Sequence, residues 1–535
     1  MIEEKILNQF KDLLGENNLI TQADILHLAE QTNYKTDEKV VAIIYPEDIN
    51  ILKSCLLLAS KHSILLYPIS KGKNWGYGSK VPLHTNSIII DLSKFNKIID
   101  YNETLGYVTI EPGVTFQQLF DFLREKNSEL IISATGSSKD SSLIGNALDR
   151  GIGTGLYADR FSTVCDLEIM LVNGDIIKTG FGHFGDSTTA KVYKWGIGPS
   201  LDGLFSQSNF GIVTKMTMWL IPVPEYLSLI FYKIKNTEKL PQVIDILRKL
   251  SLNGLIRPTF TIYNDVRVVS TIKQYPFDEF DPKIDSVESV MKLLKDSIGI
   301  SNVISAWNGE ISIRSMNLEH SRIQCNIIKE AINDEVESID LVEVSKKEIL
   351  ETLQAHYQGT HKNSNNDLKN FLLGKYIGIP NEIAIRQTYW RKKQVIPIDM
   401  NPDRDKCGMI WICPVVPFTK EDIELAVKII VDTIKKYSFE PSISLQCMSE
   451  RAINIIASIA WDRDLIEDDQ KAIECYTNIN KTLNENGFYA YRNTTFGMKT
   501  EKQNSDSTNT YNNLLKKIKT VFDPKNIIAP GRYIN

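Results

Sequence analysis

The sequence predicts an α+β protein of two domains, in which the first domain is discontinuous (about 1–226 and 490–535) and a cap domain (about 227–489) is inserted into it. Three observations predict this division. The chain opens with a β–α–β pattern that leads into loops rich in glycine and serine. After Pro224 such loops become sparse, and long helical patterns alternate with strands. From about residue 490 the chain returns to short polar segments of the first kind.

The first domain begins with a predicted amphipathic helix at 1–15. An apolar strand at 40–45 follows, and Pro46 then begins a second helix, because proline is tolerated in a first helical turn. Apolar runs bounded by turn residues predict further strands at 64–68, 87–91, 97–101, 106–111, 164–172 and 175–178, with a helix at 116–126 and a strand within 203–224.

The cap is predicted from longer periodic segments. Helices are expected near 238–252, 284–297, 317–333, 419–437 and 465–486. Strands are expected near 228–234, 303–313, 408–413 and 442–447. The polar segment 361–367 is expected to be a loop. A last helix is expected near 510–521, in the returning part of the first domain.

Composition and charge exclude several classes of protein. The 535 residues are 42% hydrophobic and 24% charged, with a formal net charge of −5. Such mild acidity gives no general attraction for phosphate backbones, so we expect no nucleic-acid partner. The N-terminus lacks the basic start and apolar run of a signal peptide, and no stretch approaches the ~18 apolar residues of a membrane span. We therefore expect a cytoplasmic protein with no membrane partner.

The cysteines and histidines do not predict a metal site. Seven cysteines are scattered without a CxxC pair, which favours buried free thiols over disulfides or zinc ligands. His356 and His361 lack the HExxH spacing of a helical zinc site and are interpreted as a loop or surface pair.

Three loops of small residues are the first functional signal. The segment SKGKNWGYGS (70–79) follows the β–α–β unit, and closely spaced glycines let backbone N–H groups approach an anion. This loop alone would more often be a simple turn. Two more such loops, at 136–155 and 206–211, shift the balance, because one extended dinucleotide lying across all three would keep them ordered.

The order of these segments resembles a known family. SKGKNWGYGS, VTIEPGVTFQQL, IGNALDRGIGTG, LDGLFSQSNFGIVTKMTMWLIPVP, AYRNTTF and FDPKNIIAPGRY together resemble the vanillyl-alcohol oxidase and p-cresol methylhydroxylase family of FAD enzymes, in the branch that acts on para-substituted phenols. The resemblance covers nearly the whole chain and is thin only through the cap. It implies a two-domain FAD-binding fold with an inserted cap that faces the substrate.

The resemblance also implies which residues contact FAD. From the first loop these are Lys71, Gly72, Lys73, Asn74, Trp75, Gly76 and Tyr77, which would hold the pyrophosphate through backbone amides. From the second they are Ser137, Ser142, Gly145, Asn146, Arg150, Gly151, Gly153 and Tyr157. Gly211, Ile212 and Val213 from the third loop, together with Arg492, complete the predicted set.

Tyr77, Tyr491 and Arg492 match three residues that bind the substrate oxygen in the phenol-oxidising branch, and they are the predicted catalytic residues. Ionising a phenol of pKa about 10 near pH 7 costs about 4 kcal/mol. One unit charge about 4 Å away, at an effective dielectric of about 20, supplies that amount. Arg492 would bind the phenolate, the tyrosines would donate hydrogen bonds to it, and hydride would leave the benzylic carbon for the flavin, giving a quinone methide.

Two positions depart from the family pattern. Members that bind FAD covalently use a His or Tyr, and the matching place here is Asn454 or Ile455, so dissociable FAD is expected. Some members place an Asp beside flavin N5, where this chain has Ser137, with Asp140 three residues later. Asp140 is interpreted as a turn residue, although a shift of the loop would bring it in.

Other functions stay open within this framework. The enzyme would be an oxidase or dehydrogenase of para-substituted phenols, with O₂ or another electron acceptor, and a homodimer or higher homo-oligomer is expected. Alternatively it would oxidise a larger biosynthetic intermediate. A third possibility is a flavoprotein subunit that passes electrons to a cytochrome partner, which would supply the haem because the chain has no CxxCH segment. The cap residues Arg386, Trp390, Arg391, Trp411 and Trp461 are assigned no role, because aromatic residues at such spacing are more often core.

Overall fold

A computed structural model describes residues 2–257, 260–360, 373–500 and 506–534. Helices and strands are mixed along the chain, which confirms the predicted α+β class. The helices are Glu4–Leu14, Ala23–Ala29, Ile49–His62, Phe116–Glu125, Leu143–Leu148, Leu240–Leu252, Asp265–Val269, Val287–Ser297, Leu318–Ile332, Lys346–Tyr357, Lys420–Lys436, Ile466–Glu485, Thr495–Thr500 and Asp506–Phe522.

The first sheet arises from the β–α–β opening. Its strands lie in the order Leu19–Ile20, Val40–Ile44, Ser87–Asp91 and Leu66–Ile69, and the last three are parallel. The helix Ile49–His62 begins three residues later than Pro46 predicted, because the Asp48 carboxylate accepts hydrogen bonds from the N–H groups of Asn50 and Ile51. Its apolar face and that of the N-terminal helix pack in one core with this sheet.

The second sheet is antiparallel and carries the middle of the first domain. Its strands lie in the order Ile98–Asn102, Tyr107–Ile110, Ile212–Trp219, Val164–Met170 and Ile176–Lys178. A separate pair, Leu130–Ile131 with Ile221–Pro222, lies beside it. The strand Ile212–Trp219 has its N-terminal end directly after the third small-residue loop, so the sheet fixes where that loop lies.

The third sheet has eight strands, all between Tyr226 and Asp462. Seven follow the order Val336–Ser345, Tyr226–Ile234, Trp307–Ser315, Phe260–Asn264, Ser442–Ser449, Ala452–Asp462 and Cys407–Ile412. The eighth, Val415–Pro417, pairs with Ala452–Asp462. Helices Leu240–Leu252, Leu318–Ile332, Lys420–Lys436 and Ile466–Glu485 pack with this sheet in one core. The domain boundaries at 226 and 490 stay a prediction.

The C-terminal tail returns to the first sheet. Leu66 donates its backbone N–H to the Ile527 carbonyl at 2.8 Å and accepts from Ala529 at 2.7 Å. Asn209 of the third loop donates to the Ala529 carbonyl at 3.0 Å. These contacts place the tail residue Arg532 beside the glycine-rich loops.

The structure shows where the cysteines and His356 of the chain lie. All seven cysteines are free and buried, as predicted. His356 lies on the helix Lys346–Tyr357 with its ring 5.6 Å from that of Phe120, whereas His361 and the loop 361–367 lie outside the described residues. Within the described ranges, no group of three or more His, Cys, Asp or Glu could hold a metal ion, and no helix is long and apolar enough to cross a membrane.

Candidate functional site

One cavity of about 340 Å³ brings the three small-residue loops together with the cap and the tail. The predicted cofactor and substrate residues that line it are Lys71, Gly72, Lys73, Asn74, Trp75, Tyr77, Ser137, Ser142, Gly145, Asn146, Gly151, Gly211, Ile212, Val213, Tyr491 and Arg492. Segments that are far apart in the sequence therefore meet around one space.

The first loop presents its backbone to this cavity. Gly72 and Gly76 have φ of +64° and +77°, which L side chains adopt only with strain. The Asn74 carbonyl accepts from the N–H groups of Tyr77 and Ser79 and closes the turn. Among the described residues, the N–H groups of 71–74 have no acceptor. Such consecutive free donors form an anion-binding concavity.

Asp403 of the cap anchors the far side of this loop. Its buried carboxylate accepts from Trp75 Nε1 at 3.1 Å and from Ser79 Oγ at 2.8 Å. Gly76 packs against the Trp411 ring, where a Cβ would clash, and its N–H donates to Asn33 Oδ1 at 2.7 Å. The loop is thus held from behind, which leaves its open face toward the cavity.

The second loop gives polar side chains to the cavity wall. Ser142 donates to the Pro112 carbonyl at 2.6 Å and accepts from the Gly145 N–H at 2.9 Å. The buried Asn146 Oδ1 has no hydrogen-bond partner among the described residues. Ser137 lines the cavity, whereas Asp140 is not among the lining residues; its side chain is 51% exposed and lies 3.6 Å from Lys73 Nζ.

These features fit an FAD. Free backbone donors in the first loop suit a pyrophosphate, and the unpartnered oxygen of Asn146 suits a flavin or ribityl donor. The backbone at Gly211 approaches the second sheet closely, since a Cβ there would lie 2.7 Å from Ile169 Cγ2. Ile212 and Val213, the next two residues, then line the cavity with apolar side chains.

Asp149 is the centre of the charged wall, and sequence reasoning missed it. Its carboxylate lies 3.0 Å from Arg492 and 2.6 Å from Arg532, and it accepts from Asn74 Nδ2 at 3.2 Å. Burial acts to raise the pKa of Asp149, but Arg532 and Arg492 outweigh it and hold the pKa below its usual range. Two cations against one anion leave this wall with a net positive charge.

Arg492 reaches the cavity from a well-fixed backbone. Just before it, Tyr491 donates its N–H to the Cys413 carbonyl at 3.1 Å, and the Tyr491 carbonyl accepts from Gln207 Nε2 at 2.9 Å. The Arg492 guanidinium also donates to Asn74 Oδ1 and lies 4.0 Å from the centre of the Tyr77 ring. Its buried Nε has no partner among the described residues. One donor thus stays available for a ligand.

Tyr77 and Tyr491 are protonated donors. The Tyr77 hydroxyl lies 3.2 Å from Cys413 Sγ. Burial, with smaller effects of Cys413 and Tyr491, raises the pKa of Tyr77 well above its usual value. Burial, and after it Cys413, raises the pKa of Tyr491 to about 12. Both hydroxyls therefore keep their protons at neutral pH.

The cap contributes a third arginine to the cavity lining, Arg267, that the sequence did not reveal. Asn264 caps the short helix Asp265–Val269 by accepting the Arg267 N–H at 3.0 Å, which fixes where the side chain begins. The guanidinium donates to Gln387 Oε1 and lies 5.2 Å from the centre of the Trp411 ring. Arg267, Gln387 and Trp411 all line the cavity.

The remaining predicted cofactor residues lie outside the lining. Gly76 faces Trp411, as described above. Arg150 is exposed and donates to Ser206 Oγ at 3.0 Å. The Gly153 carbonyl accepts from Gln446 Nε2 at 2.8 Å, and Tyr157 packs on an apolar cluster formed by residues of both the cap and the first domain. Their assignment to FAD stays a prediction.

The cap positions compared with the family's covalent site also have definite places. Asn454 is buried, with neither side-chain polar atom partnered among the described residues. Ile455 lies in the cap core. Ile456 is the residue of this strand that lines the cavity. Of the cap aromatic residues, Trp390 and Trp461 are buried with carboxylate partners, whereas Trp411 faces the cavity.

Comparisons with known proteins match nearly the whole length of the chain. A family model described as "FAD binding domain" matches residues 40–180. The chain is 36% identical to 1'-carboxy-chondrochloren decarboxylase of Chondromyces crocatus, covering 99% of this chain and 97% of that protein. It is 26% identical to the flavoprotein subunit of 4-cresol dehydrogenase [hydroxylating] of Pseudomonas putida, covering 99% and 95%.

A solved structure shows the same architecture. The crystal structure of p-cresol methylhydroxylase with substrate bound superposes with a TM-score of 0.85 at 25% identity, covering 99% of this chain and 96% of the other. This match confirms the two-domain FAD-binding fold. Sequence and fold agree over nearly the full length, and so the chain belongs to the vanillyl-alcohol oxidase and p-cresol methylhydroxylase family of FAD-dependent oxidoreductases.

Proposed function

We propose that this enzyme removes hydride from the benzylic carbon of a para-substituted phenol that is bound as its phenolate. The observation that carries this proposal is the meeting of Tyr77, Tyr491 and Arg492 at one cavity wall, which also bears the net positive charge described above. A phenolate oxygen needs a cation and hydrogen-bond donors, and this wall offers both. FAD, when bound, supplies the acceptor of the hydride.

The chain's own residues would prepare the phenol for this step. Arg492 favours the ionised oxygen, because a cation close to an acid stabilises its charged form. The Tyr77 and Tyr491 hydroxyls, kept protonated by burial, donate to that oxygen. Electron density pushed from the phenolate through the ring weakens the benzylic C–H bond. Loss of the hydride then leaves a quinone methide, to which water adds or which rearranges.

Anaerobic reduction of the purified holoenzyme tests this function. We expect 4-alkylphenols or 4-hydroxymethylphenols such as vanillyl alcohol to bleach the flavin. Their O-methyl ethers carry the same benzylic hydrogens but cannot ionise, and they should leave the flavin oxidised. Equal reduction by phenol and ether would contradict binding as a phenolate, and no reduction by any phenol would contradict the substrate class.

A second candidate is the oxidation of a larger carboxylated intermediate. It is favoured by the 36% identity to a protein named as a decarboxylase of a carboxylated compound. In such a reaction hydride loss would again give a quinone methide. A carboxylate on the next carbon would leave as CO₂, and its electron pair would form the C=C bond and restore the phenolate. Release of one CO₂ per reduced flavin would support this candidate, and its absence with carboxylated substrates would exclude it.

The proposal includes an FAD that is not covalently attached. Asn454 and Ile455 cannot form the bond, and the cavity-facing residue of the same strand, Ile456, cannot form it either. Acid precipitation should therefore release all of the yellow colour into the supernatant. A pellet that keeps its flavin would contradict this part of the proposal.

A further inference from the structure

Arg267 is a cation of the cavity wall that has no counterion in the part of the chain that the structure describes. Its one protein hydrogen bond within the described ranges goes to the neutral amide oxygen of Gln387, and no carboxylate lies within ion-pair distance. A guanidinium has five N–H donors in a fixed planar fork, so most of them are free. Burial lowers the pKa of Arg267 to about 10, and the side chain is thus still charged at neutral pH.

Other buried or half-buried arginines of the chain are satisfied in different ways. Arg391 forms a two-pronged pair with Glu440, and Arg492 and Arg532 share Asp149. Arg160 donates to the carbonyl groups of Ser133 and Ala134 and does not line the cavity. A buried charge left without an anion costs several kcal/mol. Arg267 therefore lacks a protein anion among the described residues and also lines the cavity, where a ligand would supply one.

The position of Arg267 in the cap indicates which kind of anion it would bind. The free N–H groups of the first loop, which suit the pyrophosphate, belong to the first domain, whereas Arg267 projects from the cap. The guanidinium stacks on Trp411, whose ring lies 6.4 Å from that of Tyr77 in a nearly parallel arrangement. Arg267 is thus linked through two aromatic rings to the residues proposed to bind the phenolate, and it lines the same cavity.

Gln387 completes a fork that matches a carboxylate. It is buried and accepts from Arg267 through Oε1, and its Nε2 has no acceptor among the described residues. A planar guanidinium with an adjacent amide N–H offers parallel donors, which is the pattern that pairs with a carboxylate in two-pronged fashion.

We propose that Arg267 and Gln387 form a carboxylate-binding subsite, so that the substrate is a para-substituted phenol with a carboxylate on its para side chain. This inference rests on the proposed function, because it assumes that the phenol oxygen lies at Tyr77, Tyr491 and Arg492. Binding at both ends would hold the benzylic carbon between two cations, which orients it for hydride transfer.

The test compares three probes in the FAD-loaded enzyme: 3-(4-hydroxyphenyl)propionate, its amide, and 4-propylphenol. Stopped-flow anaerobic reduction at a series of probe concentrations gives a Kd and a limiting rate for each. We expect the acid to bind about 10- to 100-fold more tightly than the amide, because hydrogen bonds to charged groups are the stronger ones. Arg267→Gln should remove this preference by weakening the acid much more than the amide, and Arg267→Lys should keep part of it.

Arg314→Gln is the matched control. Arg314 is also a cap arginine without a carboxylate partner among the described residues, but it donates to the Pro222 carbonyl and does not line the cavity. This variant should keep the full preference for the acid. FAD content measured in every variant shows whether Arg267 instead contacts the cofactor.

Each outcome decides the inference. Equal affinity for acid and amide in the unaltered enzyme would overturn the carboxylate subsite while the proposed phenol oxidation stands. An Arg267→Gln variant that weakens all three probes alike, or that loses FAD, would also overturn it. Failure of every probe to reduce the flavin would overturn the proposed function together with the subsite.

Discussion

Two walls of the same cavity differ in whether a protein carboxylate pairs with their arginines. On the wall formed by the first domain, Arg492 and Arg532 share the buried Asp149, which fixes both side chains and leaves one net charge. On the cap wall, Arg267 has only the neutral Gln387 as its hydrogen-bond partner in the described part of the chain. The first arrangement builds a rigid site in which a buried carboxylate balances one of the two charges. The second leaves a full charge to be balanced by a ligand.

The comparison predicts that removing the two arginines has different consequences. Arg492→Gln should lower kcat/KM about a thousandfold for every phenol, charged or neutral in its side chain, because about 4 kcal/mol of phenolate stabilisation is lost. Arg267→Gln should lower kcat/KM mainly for carboxylated substrates and much less for 4-propylphenol. Steady-state kinetics on 4-propylphenol and on the propionate would measure the contrast.

Arg451→Gln serves as the control for these kinetics. Its side chain lies on the cap, is 79% exposed and is not part of the cavity wall. It should leave kcat/KM unchanged. An Arg492→Gln enzyme that keeps its activity on 4-propylphenol would contradict the different roles proposed for Arg492 and Arg267.

The ion pairs of Asp149 should also raise the free energy of unfolding. Asp149→Asn leaves two buried arginines without their anion, so we expect a loss of about 3–5 kcal/mol. Because the folded-state pKa of Asp149 is lowered, its stabilisation is present in full above the unfolded pKa and is lost only as pH falls through the folded value. The gap to the unaltered protein should therefore be flat from about pH 5 to pH 8 in urea unfolding at fixed FAD.

Asp399→Asn is the corresponding surface control, because this carboxylate is 90% exposed and pairs with a partly exposed arginine. It should change stability by less than about 1 kcal/mol. A gap for Asp149→Asn that closes between pH 5 and pH 8 would show that Asp149 is not held in its ionised form.

The two tyrosines should contribute less than Arg492. Tyr77→Phe and Tyr491→Phe each remove one donor to a charged oxygen, which is worth about 10- to 100-fold in kcat/KM. Because burial raises both pKa values, neither hydroxyl should lose its proton below pH 9, and kcat/KM should show no fall from this cause up to that pH. A pH profile of the unaltered enzyme and of both variants checks this, and a descending limb near pH 8 that vanishes in either variant would contradict it.

The sequence predicted the first wall better than the second, for a physical reason. Glycine-dense loops such as 70–79 carry a local signal, because closely spaced glycines permit the positive φ seen at Gly72 and Gly76. Asp149 was missed although it lies beside Arg150, since its importance comes from Arg492, 343 residues away in the chain. Arg267 has no local pattern at all. Only the packing of the cap brings it to Trp411.

The strands of the cap show the same limit. Tyr226–Ile234 and Ser442–Ser449 were predicted from their apolar runs and are confirmed. Val336–Ser345 was not predicted, because this edge strand intersperses apolar with acidic residues and is mostly half-buried. Phe260–Asn264 is too short to give a periodic signal. It nevertheless leads directly into the short helix Asp265–Val269 that carries Arg267.

The ionisation state of a bound phenol is the most direct test of the central claim. 4-tert-Butylphenol has no benzylic hydrogen, so it can occupy the site without reacting, and its ultraviolet spectrum reports whether it is ionised. We expect the bound phenol to ionise near pH 7, roughly three units below its value of about 10 in water, and to stay neutral in Arg492→Gln. A bound phenol that keeps its aqueous pKa in the unaltered enzyme would contradict the claim that this cavity selects phenolate.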